Sequence, residues 1–275
     1  MILVVGSESY LAKKFVQDFK FKTNLILTSR RDETRFNLDL ASFKNLNKLP
    51  YKTDKALIFA GITGIEYCSN NKELVKAINF DGTTKLIKYL NGRGIRCLFI
   101  SSNCVFSEVT NSTSEFSIRD PSNLYGLYKK MVEDNILTSK LNSVLRLTKV
   151  LDSDAGILKF WMSKIINNET IEAFSNIKIS PITSSFVSKF IISWCSENLL
   201  SQSIFHLSNE IEFSYYDLAL ELLKQSKIEF NSILKIKADL SKEKYFAPNK
   251  SLLECNLEFS RKQRYSVLID EILNN

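Results

Sequence analysis

A doubly wound, parallel α/β sheet with a smaller C-terminal lobe is the fold this sequence predicts. Three observations carry that prediction. Short, wholly apolar runs alternate with stretches of helical periodicity through the first 150 residues, and Gly6 directly follows the first run. After about residue 150 the rhythm changes to helices separated by brief strands. Strands buried on both faces of a parallel sheet read as continuous apolar runs, with crossover helices covering the sheet.

The elements follow in order. Ile2–Val5 is a buried strand, and Ala12, Phe15, Val16 and Phe19 give the next helix its apolar face. Leu25–Leu27 is the second strand and Ala56–Ala60 the next. A helix through Leu74, Val75, Ile78, Leu86, Ile87 and Leu90 leads to the strand Cys97–Ile100. A helix around Leu124–Leu137 and the strand Val144–Leu147 complete the first half. Right-handed crossovers make residues 1–150 a dinucleotide-binding sheet of Rossmann type. In residues 151–275, helices at Ile157–Ile166, Phe186–Glu197 and Tyr215–Leu223 alternate with strands near Ile171–Phe174 and Ile204–Leu207. This half reads mostly as a small α/β substrate-binding lobe, with some segments returning to the main sheet.

Composition narrows the function classes. At 44% hydrophobic and 24% charged, the 275 residues can bury a sizeable core. No apolar run nears the roughly 18 residues needed to span a bilayer. The start lacks a basic n-region, so a cytoplasmic protein without a membrane span is expected. Five cysteines without a CxxC pair, and one histidine, His206, give no metal-ligand spacing. No metal is expected, and the thiols read as reduced. A pairing of Cys104 with His206 as nucleophile and base is the alternative use of these residues. The formal charge of +7 is spread along the chain, clustering only at Lys242, Lys244 and Lys250. It accompanies no nucleic-acid motif, so nucleic acid is not an expected partner.

Gly6-Ser7-Glu8-Ser9-Tyr10-Leu11-Ala12 lies between the first strand and the first helix, where a phosphate-binding turn belongs. Gly6, Ser9 and Ala12 occupy its three glycine positions. Ser9 adds a side chain where phosphates come close, although its hydroxyl can donate to them. Free amides at the helix N-terminus serve an anion either way. The second strand ends at Arg30-Arg31 with no acid at its tip. An acid there binds the ribose hydroxyls of NAD and an arginine pairs with the 2′-phosphate of NADP. Arg30 or Arg31 therefore favours NADP(H), with NAD(H) as the alternative; two solvated loop arginines are the bland reading.

The strand from Cys97 ends in Ser101-Ser102, and Tyr125-Gly126-Leu127-Tyr128-Lys129 opens the following helix. Residues four apart share a helix face, so Tyr125 and Lys129 can enter one cleft. Ketone reduction needs a proton for the emerging alkoxide, which a tyrosine supplies. A neighbouring ammonium lowers the tyrosine pKa and can orient the nicotinamide ribose. A serine hydroxyl polarises the carbonyl. Ser102, Tyr125 and Lys129 are the catalytic candidates.

These segments resemble the extended short-chain dehydrogenase/reductase family, in its dTDP-4-dehydrorhamnose reductase (sugar-nucleotide reductase) branch. Phe99–Phe106 resembles the family's strand ending in Ser-Thr-Asp-Tyr-Val-Phe, and Asn123–Glu133 its Tyr-Gly-x-x-Lys-x-x-x-Glu segment. Phe59–Thr63, with Ala60 and Gly61, resembles the loop beside the cofactor, and Leu38-Asp39-Leu40 the segment bordering adenine. Ala77–Asn79 with Gly82, then Leu145–Val150, Ser180–Phe186, Phe205–Ser208 and Pro248–Leu252, resemble later landmarks.

The resemblance implies an NADP(H)-dependent reductase of a keto group on a nucleotide-linked sugar. It implies cofactor contacts from Gly6, Ser9, Tyr10, Leu11, Arg30, Asp39, Leu40, Ala60, Gly61 and Lys129. Substrate contacts are expected from Asn103, Cys104 and Val105, surface polysaccharide synthesis is the natural association, and a homodimer is the family's frequent assembly. The sequence departs from the pattern at Ser9, at Asn103-Cys104 in place of Asp-Tyr, at Ala247 in place of arginine, and at Phe59 in place of asparagine. Two other readings stay open: an NAD-dependent nucleotide-sugar epimerase, and a non-catalytic regulatory subunit that binds the sugar nucleotide or NADP.

Overall fold

The computed structural model describes residues 1–32, 35–42, 45–50, 52–107, 113–196, 203–226, 230, 232–241 and 253–273. The Lys242, Lys244 and Lys250 cluster, Ala247 and the whole Pro248–Leu252 landmark lie outside them.

In chain order the first part runs β1 (Ile2–Val5), α1 (Tyr10–Asp18), β2 (Leu25–Ser29), β3 (Phe36–Asn37) and β4 (Lys55–Ile58). It continues through α2 (Ile65–Asn70), α3 (Lys72–Val75), α4 (Thr83–Asn91), β5 (Arg96–Ser102), α5 (Leu124–Ile136) and β6 (Asn142–Leu147). The remainder is α6 (Gly156–Ile166), β7 (Ile171–Phe174), β8 (Lys178–Ile179), α7 (Ser184–Ser196), β9 (Ile204–Asn209) and β10 (Phe213–Ser214). It closes with α8 (Tyr215–Ser226), β11 (Ile233–Ile236), β12 (Arg261–Gln263) and α9 (Tyr265–Leu273).

Eight strands form one parallel sheet in the order β12-β9-β6-β5-β4-β1-β2-β3. The order reverses between β1 and β4, and ligands bind at such a switch point, beyond the carboxyl ends of the strands. Alternate side chains of each strand enter opposite layers. Val4, Leu98, Ile100 and Leu145 pack with Phe15, Val187, Ile191 and Trp194 of α1 and α7. Leu3, Val5, Phe99 and Val144 pack with Leu86, Ile87, Leu90, Val132 and Ile136 of α4 and α5. The second half thus contributes α7, β9 and β12 to the main sheet.

A third core lies in the lobe, where Trp161, Ile171, Ala173, Leu218, Leu268 and Ile272 gather. There β7 pairs with β11 and β8 with β10. The sequence reading lacks β3, β8, β10, β11, β12 and α9. Most of these strands have two to four residues, and β12 is Arg-Lys-Gln at the sheet edge, where no apolar run is required.

The predicted helix through Leu74–Leu90 is also interrupted. Lys76–Gly82 is a π-helical turn between α3 and α4. At Gly82 the Leu40 carbonyl oxygen lies 2.4 Å from where a Cβ would sit, so the turn passes the β3 segment at backbone contact. The extra residue aims Asn79 at the loop after β4. Its amide donates to the Ile62 carbonyl (2.8 Å) and its Oδ1 accepts from the Ile62 amide (2.7 Å). Single π turns often mark functional positions, and this one fastens a loop that borders the cleft.

Candidate active site

A cleft of about 1340 Å³ opens over the carboxyl ends of β1, β4, β5 and β6 and extends onto the lobe. It exceeds the roughly 300–1,000 Å³ of a single small-ligand pocket, leaving room for two ligands end to end.

At one end is the turn after β1. Gly6 has φ +79°, and a Cβ there would stand 2.7 Å from the Ala60 Cα, so only glycine fits. Its amide donates to the Thr28 hydroxyl (3.1 Å), tying the turn to β2. Ser9 is the N-cap of α1, and its hydroxyl accepts from the Ala12 amide (3.4 Å). That folds the extra side chain back on its own helix. The amides of Tyr10 and Leu11, in the first turn of α1, have no intrahelical acceptor. Ser9, Tyr10 and Leu11 all line the cleft.

Tyr10 also reaches the lobe. Its hydroxyl lies within hydrogen-bond reach of Asp152 and Asp154, 2.6 Å from the latter. Burial and then those two carboxylates hold the phenol protonated well above its usual range.

Around the tip of β2, Arg30 and Arg31 are exposed. The sequence reading missed two neighbours. Arg35 donates to the Ser7 hydroxyl (2.7 Å) and pairs with Asp32 (2.9 Å). Glu8 accepts from the Ser29 hydroxyl (2.9 Å). Asp39 accepts from the Ala41 amide and the Ser42 hydroxyl, both at 3.0 Å, so its carboxylate closes its own turn. Leu40 is a core residue. Neither lines the cleft.

At the centre, β5 delivers Ser102 and the N-terminal turn of α5 delivers Tyr125 and Lys129. Ser102 caps a 3₁₀ turn, its hydroxyl accepting from the Cys104 amide (3.2 Å) and donating to Asn103 Oδ1 (3.3 Å). Asn123 caps α5, accepting from the Gly126 amide (2.9 Å). Gly126 explains how close the two elements come: a Cβ there would fall 1.9 Å from the Cys104 carbonyl oxygen. Gly126→Ala is therefore expected to cost about 1–3 kcal/mol of stability. It should also push Tyr125 away from Ser102; a urea unfolding curve and a turnover assay check both.

The Ser102 hydroxyl is close enough to Tyr125 to ease ionisation of its phenol. Lys129 is buried, donates to the Ile100 carbonyl (2.7 Å), and lies over the Phe99 ring (4.6 Å) and beside the Tyr125 ring (5.7 Å). Burial lowers its pKa to about 8, against the opposing pull of Glu133. The Tyr125 phenol shifts opposite to the sequence expectation. Burial, then the nearby Cys104 and Cys68 thiols, push it up, and the Ser102 hydroxyl offsets only part. The reason is positional: the ammonium sits against a carbonyl and two ring faces. Tyr125 stays a neutral phenol, the form able to donate a proton.

Asn103 and Cys104 line the cleft, and burial raises the Cys104 thiol out of the reactive range. Val105 does not line it. It is fully buried against Phe106 and Leu253, so its place in the sequence-derived substrate set is corrected. His206 is no base for Cys104 either. Nδ1 lies 2.8 Å from the Glu254 carbonyl and so carries the proton, leaving Nε2 to accept from Arg146 (3.1 Å). Burial, then Arg146, depress its pKa to about 4.

That histidine ends a buried network behind the β5 tip. Glu133, fully buried, receives the Ser101 hydroxyl (2.5 Å), Arg119 (2.8 Å) and Arg146 (2.8 Å). Arg146, also fully buried, donates further to the Glu115 carbonyl (3.1 Å). Since Ser101 precedes Ser102 and Glu133 lies one turn beyond Lys129, the network fixes the two elements that carry the central groups.

The far wall adds Thr148, Lys149, Trp161, Glu172, Lys178 and Tyr215, to none of which the sequence reading gave a site role, although Thr148 and Lys149 fall in its Leu145–Val150 landmark. Among the described residues no cluster could hold a metal ion, and no helix is long and apolar enough to cross a membrane.

Solved structures share this architecture over the whole chain. A dTDP-4-dehydrorhamnose reductase of Clostridium acetobutylicum superposes with TM-score 0.86 at 18% identity, covering 99% of this chain and 98% of that one. One from Bacillus anthracis, solved with NADP, gives 0.85 at 16% identity, with 99% and 97% covered. One from Yersinia enterocolitica gives 0.82 at 21% identity, with 99% and 98% covered. At such identities the likeness establishes the fold. No curated protein matches the chain by sequence. The family model described as the RmlD substrate binding domain matches residues 1–264. The chain belongs to the RmlD substrate binding domain family.

Proposed function

We propose that this protein is an NADP(H)-dependent reductase of a keto group on a nucleotide-linked sugar. The observation that carries the reading is the meeting of Ser102, Tyr125 and Lys129 in one cleft, at the switch point of the sheet. Gly6, Ser9, Tyr10, Leu11, Ala60 and Gly61 would hold the dinucleotide along the β1 and β4 tips. A turn that only glycine fits, together with free helix amides, suits a pyrophosphate. Arg30, with Arg35 near it, supports a 2′-phosphate. The NADP bound to the Bacillus anthracis relative agrees with that. Glu8, an acid at the same rim, supports NAD(H) as the alternative.

The dinucleotide supplies hydride when bound. Ser102 positions and polarises the carbonyl oxygen, and Tyr125 delivers the proton to the emerging alkoxide. Lys129 holds the nicotinamide ribose and stabilises the phenolate left behind. Asn103 and Cys104 border the sugar, and the lobe covers the nucleotide. The intact central trio favours a reductase over a regulatory subunit.

Fluorescence titration of the purified protein with NADPH and NADH tests the reading. Saturable binding, tighter for NADPH, is the expected result; binding of neither contradicts it. Turnover carries a pH signature as well. Lys129 is cationic below about pH 8, whereas an unperturbed lysine keeps its charge to 10.5. The kcat/KM profile is therefore expected to be level up to about pH 8 and to fall about tenfold per unit above it. A profile level to pH 10 contradicts the role given to Lys129.

A further inference from the structure

The mechanism leaves the charge nearest the central trio, Lys149, unused. In the register of β5 against β6, Leu147 stands opposite Ser102, so Thr148 and Lys149 continue from the sheet beside Asn103 and Cys104. Both line the cleft. The Lys149 ammonium is exposed, and its charge acts on the Cys104 thiol. Its backbone is fixed, the carbonyl accepting from the Ile182 amide (2.9 Å) and Val150 bridging to Ile182. Among the described residues no carboxylate pairs with it: Asp154 is engaged with Tyr10, and the ion pairs lie elsewhere.

A second observation points to a ligand at this wall. The Thr148 hydroxyl and the Trp161 indole N–H are buried without a hydrogen-bond partner among the described residues, in side chains only 5% and 4% exposed. Buried polar groups are seldom left so, and a polar ligand is one way to satisfy them.

We infer that Lys149, with Thr148 beside it, forms a subsite for a carboxylate carried on the sugar ring of the nucleotide-linked substrate. The inference rests on the reductase reading and narrows its substrate class to keto sugars that bear an acid group. Position decides between the two anions such a substrate carries. Ser102 and Tyr125 fix the reacting carbonyl, and Lys149 stands one strand over from Ser102. A carboxyl group on a ring carbon next to the carbonyl falls within reach of that ammonium. The diphosphate leaves from the anomeric carbon and heads for the lobe, where Lys178 is exposed on the wall. Against a neutral sugar the Lys149 ammonium exchanges water for an uncharged hydroxyl, whereas a carboxylate returns the stronger, charge-assisted hydrogen bond.

Calorimetric titrations of the protein saturated with NADP⁺ test this, using UDP-glucuronate against UDP-glucose and dTDP-glucuronate against dTDP-glucose. In whichever nucleotide series binds, the acid sugar is expected to bind at least about tenfold tighter. Lys149→Met should remove that difference by weakening the acid sugar alone, and Lys149→Arg should keep most of it. NADPH affinity serves as the control for folding and should not change. Equal affinities in the wild type overturn the inference. So does a Lys149→Met variant that weakens both sugars alike, which assigns the lysine to the diphosphate. If NADPH binds and no sugar nucleotide does, the substrate reading falls with it; if NADPH does not bind, the reductase reading falls first.

Discussion

Tyr125→Phe is expected to lower kcat by about 10²–10⁴-fold, the usual contribution of a positioned general acid. Its affinity for NADPH should stay within about twofold. The substitution removes one oxygen from a side chain whose ring still packs beside Lys129. Ser102 keeps its hydrogen bonds with the Cys104 amide and Asn103. The turn that carries it therefore stands. Burial keeps the Tyr125 hydroxyl protonated over the whole neutral range, so the lost group is a proton donor and not a phenolate base. Steady-state rates and nicotinamide fluorescence separate the two effects. Turnover that survives the substitution removes Tyr125 from the mechanism.

Arg146→Ala carries the largest expected loss of stability, about 3–5 kcal/mol, the cost of breaking a buried ion pair from one side. The guanidinium is fully buried and joins Glu133, the Glu115 carbonyl and His206. Removing it leaves Glu133, equally buried, with Arg119 and Ser101 alone. The double substitution Arg146→Met with Glu133→Leu is expected to recover much of that loss, because the buried, under-partnered carboxylate goes too and Arg119 keeps Asp134. Urea unfolding measures both. Since the network grips Ser101 and α5, the single variant should also lose turnover at temperatures where it is still folded.

The sheet was legible because its strands are buried on both faces and carry little but apolar residues. The candidate trio was legible for a different reason. A strand ending in Ser101-Ser102 and a helix opening with Tyr125 and Lys129 must lie at the same end of a parallel sheet. Elements that depend on tertiary partners left less trace. β12 is charged and exists because β9 offers an edge. The π turn at Lys76–Gly82 follows from the approach of Leu40 to Gly82, a contact between segments far apart in sequence.

Side-chain direction was harder still. Val105 follows two cleft residues but turns into the interior, since the 3₁₀ turn breaks the alternation of the strand. Ser9 reads as an obstacle in the phosphate turn, yet serves as a helix cap. The pKa order of Tyr125 and Lys129 depends on burial, which spacing does not report. Lys149 falls in the Leu145–Val150 landmark, but its role follows only from its register beside Ser102.

The most direct measurement is a crystal structure of the protein soaked with NADPH at saturating concentration. The account predicts the nicotinamide ring beside Ser102 and Tyr125, with space for a carbonyl between the ring and the two hydroxyls and Lys129 Nζ within ~3.2 Å of a ribose hydroxyl. A ring seated elsewhere, or a cleft that admits no dinucleotide, contradicts it.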